Sequence, residues 1–297
     1  MTVARELVSG DLAFGESPRW HGGRLHLSDV FSKRVIAVNE DGATDVVVDT
    51  EDHPSGLGWL PDGRMLVVSM LDRKLLRLEA TGLVEHADLR EACPGACNDM
   101  VVDGLGRAYV GNAGYEYRYR GQRVDIRRAT SLVLVTPDGE VRRQAGTLMF
   151  PNGAAISADG RMLVVAQSHG ARLTAYRIEA DGMLTGERVF AALPAAFDHP
   201  DGICMDADGG VWMANPALMC CARVLDGGQV THVIETAPWE CIACTLGGPD
   251  RHRLYLVLAP SRKEEAGEQF VLGGAPAVSR PGRVEALRVD VPGVGWP

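Results

Sequence analysis

NGAAISADGRMLVVAQ, residues 152–167, places two short apolar runs on either side of an Asp-Gly pair. That arrangement is a strong hairpin signal, because glycine takes up the positive φ that a tight turn needs. The phrase recurs as GLGWLPDGRMLVVSM from Gly56, NDMVVDGLGRAYVGN from Asn98 and DGICMDADGGVWMAN from Asp201. A shorter-turn copy, ESPRWHGGRLHLSDV, begins at Glu16, and a divergent one, CIACTLGGPDRHRLYLVLAP, begins at Cys241. The copies start at 16, about 55, 98, 152, 201 and about 242. Their spacing is close to the ~40–50 residues of a four-stranded propeller blade.

Most copies continue into a third apolar segment that ends in another turn, such as RVIAVNEDG from Arg34 and RLTAYRIEADG from Arg172. A fourth strand, such as TDVVVDT from Thr44, then leads into the next copy. Six copies predict an all-β chain folded as one six-bladed β-propeller over residues 1–297, with blades around a central channel. Closure is expected to pair the N-terminal strand near ARELVSG with the last blade, leaving no long unpaired edge. One repeat is stretched: Tyr115 to Arg128, between the second and third strands of the third blade, carries arginines 118, 120, 123, 127 and 128 and tyrosines 115, 117 and 119. It reads either as a solvated loop or as a lid over the channel mouth.

Composition narrows the partners. With 30 Lys and Arg against 39 Asp and Glu, the net charge of -9 argues against nucleic acid or an anionic membrane surface, leaving a small molecule as the expected partner. No apolar window reaches the length of a membrane helix, and MTVARELVSGDLAF does not read as a secretion signal, so the expectation is a soluble, cytoplasmic protein. Seven cysteines, an odd number without such a signal, leave at least one free and are expected to be mostly reduced with no disulfide framework, and Cys241 with Cys244 lacks the βαβ setting of a redox motif. The cysteines read as small buried hydrophobes.

Aligning the copies on their turns brings Glu16, Ser55, Asn98, Asn152, Asp201 and roughly Ile242 to one place, just before the innermost strand of each blade. Four of those six are Glu, Asn or Asp, and side-chain oxygens converging on one axis form a site for a hard cation. Asn152-Gly153 and Asp201-Gly202 read equally well as turn formers, and spacing alone leaves both readings open.

GESPRW at 15–20, ACNDMVVDGLGRAYVGN from 96, FPNG at 150–153, HPDGICMDADGGVW from 199 and ACTLGG from 243 together resemble the senescence marker protein (regucalcin), gluconolactonase and luciferin-regenerating enzyme family, in order and over essentially the whole chain. The resemblance implies a six-bladed propeller whose channel holds one divalent metal on Glu16, Asn152 and Asp201, with Asn98 touching substrate. Ca2+ is the first expectation for such an oxygen set, with Zn2+, Mn2+ or Mg2+ as alternatives. The implied activity is hydrolysis of a sugar lactone or related γ- or δ-lactone. In it the metal polarises the carbonyl, Asp201 also serves as general base, and Asn98 orients the carbonyl or ring oxygen. A promiscuous esterase or phosphotriesterase, or a non-catalytic calcium-binding propeller, are the alternatives.

The chain departs from the family pattern at Ala96, where many sugar lactonases carry an Arg, and this points away from gluconolactone itself. Further candidates for substrate contact are Glu116, Arg118 and Arg120 in the insertion and His199 beside Asp201, while His53 and His169 lie in loops that could approach the mouth. Trp239, Met149 and Phe150 are candidate apolar walls.

Overall fold

The computed structural model describes residues 4–115, 129–144, 146–261 and 281–295. Strand periodicity explains its core. Along Met162–Gln167, Leu163 and Val165 pack toward the third blade while Val164 and Ala166 pack toward the fifth. Successive side chains leave a strand on opposite faces, so a strand buried on both reads as the unbroken apolar run MLVVA. The second strands of blades 2 and 6 divide in the same way, and six apolar clusters result, each between two neighbouring blades.

Each blade is a four-stranded antiparallel sheet. The innermost strands, in chain order, are Gly15–His21, Pro54–Trp59, Cys97–Val102, Pro151–Ile156, Ile203–Met205 and Trp239–Gly247, and they pack on one another around the channel. In the hairpin turns, glycine sits where no side chain would be comfortable: Gly63 has φ +87° and its N–H donates to Leu60 O at 2.9 Å. Blade 6 takes Arg253–Pro260 and Gly282–Arg288 from the end of the chain and completes itself with Glu6–Leu12, whose Glu6 lies opposite Ala286. The expected closure is therefore present. The insertion leaves blade 3 between Ala108–Asn112 and Val133–Val135, as read from the sequence, beside a two-residue ribbon, Ala129–Thr130 with Leu148–Met149. Among the described residues the helical content is one 3-10 turn, Ala195–Phe197.

The two channel ends differ. At the end where the innermost strands finish, residues 292–294 lie across blades 5 and 6: Ala207 N–H donates to Pro292 O at 2.8 Å and Gly293 N–H to Arg251 O at 3.0 Å. The other end, where the innermost strands begin, carries the predicted ring. Among the described residues no helix is long and apolar enough to cross a membrane.

Candidate active site

Glu16, Ser55, Asn98 and Asn152 are each the second residue of an innermost strand, and Asp201 stands just before the fifth. Each of the first four lies at a break in strand pairing: Glu16 pairs with Ser28, but the next partners are Arg19 and His26, so three steps on one strand meet two on the other. The same bulge lies in Pro54–Leu57, Cys97–Met100 and Pro151–Ala154. A bulge adds one residue, bends the strand and re-aims a side chain. Here it turns four successive blade entries out of the regular pleat at the same level.

The turn-former reading of Asn152-Gly153 and Asp201-Gly202 does not describe these positions. Neither glycine has a positive φ. A Cβ on Gly153 would stand 2.7 Å from Asp201 O, and one on Gly202 would stand 2.5 Å from Ala243 Cβ. The glycines let neighbouring innermost strands approach backbone to backbone, and Gly202 N–H donates across the blade boundary to Ile242 O at 3.0 Å. The close approach at Gly153 brings the strand of Asn152 against the segment of Asp201.

A chain of hydrogen bonds runs around half the ring. Ser55 Oγ donates to Asn98 Oδ1 at 3.4 Å, Asn98 Nδ2 to Asn152 Oδ1 at 2.9 Å, Asn152 Nδ2 to Ser168 Oγ at 3.1 Å, and Ser168 Oγ to the carbonyl of Pro200 at 2.8 Å. The chain thus ends on the residue before Asp201. Asn98 and Asn152 are buried, while Glu16 and Asp201 are half-buried. Among the described residues no group of three or more His, Cys, Asp or Glu side chains gathers to hold a metal. A cation at the ring would therefore rely on two carboxylates, Glu16 from blade 1 and Asp201 from blade 5, and on the amide oxygen of Asn152 from blade 4. That oxygen has two lone pairs and uses one on Asn98. The donor set is all oxygen and suits a hard cation.

Beneath the ring lies a cluster that the sequence reading missed. Asp99 Oδ1 accepts from Ser17 Oγ at 2.7 Å, Arg19 Nη2 at 2.8 Å and Met100 N–H at 2.8 Å. Ser17, Asp99 and Arg19 are 0%, 2% and 4% exposed. The cluster joins blade 1 to blade 3, which are not neighbours, and so forms a polar floor under the site. Ser17 and Asp99 directly follow Glu16 and Asn98, so the floor holds two ring positions from below. A signal was present: Ser, Arg and Asp within otherwise apolar innermost strands.

Above the ring, toward the mouth, aromatic rings dominate. Phe150 meets His169 edge to face at 5.1 Å, Tyr115 stacks on His169 at 6.2 Å, and His169 meets His199 at 5.9 Å. On another side Phe31 lies 5.6 Å from Phe14 and 6.0 Å from His53, beside Met70 and Ile242. Phe150 and His199, each two residues before a ring position, are both left-handed, with φ +55° and +61°. His53 has a structural task. Its Nδ1 lies 3.0 Å from Asp52 Oδ1, and Asp52 also accepts from the N–H groups of Leu71 and Asp72. Burial works against the Asp52 carboxylate, yet His53 and those N–H groups outweigh it and hold its pKa down to about 2.

Ala96 is buried, with its N–H on Tyr115 O at 3.2 Å. Of the expected walls, Phe150 joins the mouth. Trp239 instead packs on the core between blades 5 and 6 under Arg283, 4.0 Å from its ring, and Met149 belongs to the two-residue ribbon. Glu116, Arg118 and Arg120 lie outside the described residues. All seven cysteines are free, and all but Cys204 are buried.

The family model described as SMP-30/gluconolactonase/LRE-like region matches residues 14–260. The chain belongs to this family. Relatives of this SMP-30/gluconolactonase-like chain include a pentonolactonase of Haloferax volcanii, 26% identical over 268 residues that cover 87% of this chain and 86% of the relative. Among solved structures, a calcium-binding protein, regucalcin, of Agrobacterium tumefaciens superposes with a TM-score of 0.78 at 21% identity, covering 99% of this chain and 96% of its own. A gluconolactonase of Xanthomonas campestris gives 0.73 at 21% identity, covering 99% and 90%. These likenesses establish the six-bladed fold.

Proposed function

We propose that the chain hydrolyses lactones at the channel ring, with a divalent cation, Ca2+ foremost, held by Glu16, Asn152 and Asp201. The observation that carries this reading is the run of bulged blade entries that sets Glu16, Asn98 and Asn152 at one level, with the Asn98–Asn152 hydrogen bond and the glycine contact leading on to Asp201. The lactonase names of the pentonolactonase and gluconolactonase relatives support it. When bound, the cation supplies a Lewis acid for the ester carbonyl. The chain's own groups do the rest. Asp201, half-buried at the ring, accepts the proton of the attacking water. Asn98 Nδ2 spends one hydrogen on Asn152 and directs the second at the substrate's carbonyl or ring oxygen. The Ser17–Asp99–Arg19 floor keeps the ring from shifting as charge develops above it.

The mouth favours a less hydroxylated γ- or δ-lactone over an aldonolactone. Ala96 offers no hydrogen bond from its side chain, and Tyr115, Phe150 and His169 offer ring faces and edges. The test is a panel of lactones and simple esters, read by proton release, on protein stripped of metal and then reloaded. Turnover that returns with one cation and fades with added hydroxyls is the expected result. Cation binding without turnover on any ester would replace this reading with that of a binding protein, the description attached to the regucalcin structure.

A further inference from the structure

Four cysteines, 204, 221, 241 and 244, fall at the boundary of blades 5 and 6; Cys204 Sγ lies 3.9 Å from Cys244 Sγ, and Cys221 neighbours both Cys241 and Cys244. The two belong to innermost strands of different blades, Ile203–Met205 and Trp239–Gly247. Just before them the backbones nearly touch. Gly202 N–H donates to Ile242 O, and a Cβ on Gly202 would lie 2.7 Å from Ala243 Cα. Backbones this close bring the pair toward the Cα spacing of about 4.4–6.8 Å that a disulfide spans. Shortening the sulfur separation from 3.9 Å to about 2.05 Å needs about 1.9 Å, which side-chain rotation at both residues can share.

Cys204 is the half-buried cysteine of the seven, and it lines a cavity beside Gly293 and Val294, together with Arg19 and Thr245. Arg19 Nε is buried there without a hydrogen-bond partner. A small molecule in that cavity meets a thiol, a cation and a spare N–H donor, while a second thiol waits behind the first.

We propose that Cys204 and Cys244 are an oxidation site for small hydroperoxides, closing to a disulfide that staples blade 5 to blade 6. Cys204 sulfur attacks the distal oxygen of the hydroperoxide, the O–O bond breaks, and the alkoxide leaves as alcohol with the thiol proton. Cys244 sulfur then attacks the resulting sulfenic acid at Cys204. The S–S bond forms, the S–O bond breaks, and hydroxide leaves as water with the proton of Cys244. Two thiols are oxidised by two electrons and one hydroperoxide is reduced. Burial, and then the sulfur of Cys244, push the Cys204 thiol upward, and the Arg19 charge acts in the opposite sense, so the first step is slow compared with that of an exposed thiolate. The staple would sit three residues beyond Asp201, on the strand that Asp201 precedes.

The test uses the full chain treated with hydrogen peroxide, quenched with iodoacetamide, and mapped by digestion and mass spectrometry without reductant. The expected product is one cross-linked peptide pair joining Cys204 to Cys244, two hydrogens lighter than its parts and cleaved by dithiothreitol. In Cys244→Ser, dimedone should label Cys204. A map in which Cys204 stays reduced while another cysteine is oxidised, or in which Cys204 joins Cys221, overturns the assignment. The wild-type map decides the matter even if the variant does not fold, and it does not depend on lactone hydrolysis.

Discussion

Replacing Asp99 with alanine removes the acceptor of three buried hydrogen bonds at once, from Ser17, Arg19 and Met100. The larger effect falls on Arg19, which is 4% exposed and meets no other carboxylate within ion-pair distance among the described residues. Breaking a buried pair by removing one partner costs about 3–5 kcal/mol, because the remaining charge stays out of water without compensation. With an unfolding entropy of about 2.1 cal/mol/K per residue, the 297-residue chain would lose roughly 5–8 °C of melting temperature. The decisive measurement is the double variant. Removing both charges, as in Asp99→Ala with Arg19→Met, should recover much of the loss, since the penalty lies in the uncompensated guanidinium and not in the missing contacts. Thermal melts of both single variants and the double variant, followed by circular dichroism, give the coupling. If Asp99→Ala costs less than about 1 kcal/mol, or if Arg19→Met makes it worse, the floor is not a desolvated ion pair and the argument from burial fails.

Three further outcomes follow from the geometry. Asp201→Ala should leave the circular dichroism spectrum unchanged while abolishing both cation binding by calorimetry and lactone hydrolysis; normal metal content with normal activity would remove Asp201 from the site. Gly202→Ala puts a methyl group 2.5 Å from Ala243 Cβ, an overpacking worth about 1–3 kcal/mol, so it should lower the melting temperature and weaken cation binding together, and an unchanged melt would refute the close backbone approach. Asp52 has a folded pKa of about 2 against an ordinary 3.8, so its contribution to stability is complete above the higher value and disappears as pH falls through the lower one. In that window Asp52→Asn should flatten the pH dependence of a urea melt, and a parallel curve for variant and wild type would show that Asp52 is not held down.

The repeating phrase carried the fold because a propeller is built of one local unit, and each unit states its own turns: Asp62-Gly63 and Asp159-Gly160 sit in hairpins as read. Closure was legible because only the N-terminal strand was left over. The ring was legible as an alignment, and three of its positions, Ser55, Asn98 and Asn152, are joined by hydrogen bonds. What repeats could not reveal is pairing. The bulges at Glu16 and Asn98 exist only relative to a partner strand, and counting residues along one strand does not show an extra one. The Ser17–Asp99 contact spans 82 residues and joins blades that are not neighbours, beyond any local pattern. Gly153 and Gly202 were ambiguous for a related reason: glycine serves both positive φ and close approach, and only the neighbouring backbone distinguishes them.

The pairing of Glu6–Leu12 with Gly282–Arg288 also governs the order in which the molecule can be assembled. Of the propeller's strands Glu6–Leu12 is made before the others and is the last to find its partner, some 280 positions later, because Glu6 waits for Ala286. Until then a growing chain holds five finished blades with two open apolar faces, one on blade 1 at Leu25, Leu27, Ile36 and Val38 and one on blade 5 at Trp212, Ala214, Cys221 and Ile234, and cannot shut the circle. Contacts so distant in sequence slow folding and prolong the exposure of unpaired edges. During synthesis the risk of association between chains therefore rests on the first and fifth blades, and it ends in a single step when the sixth is made.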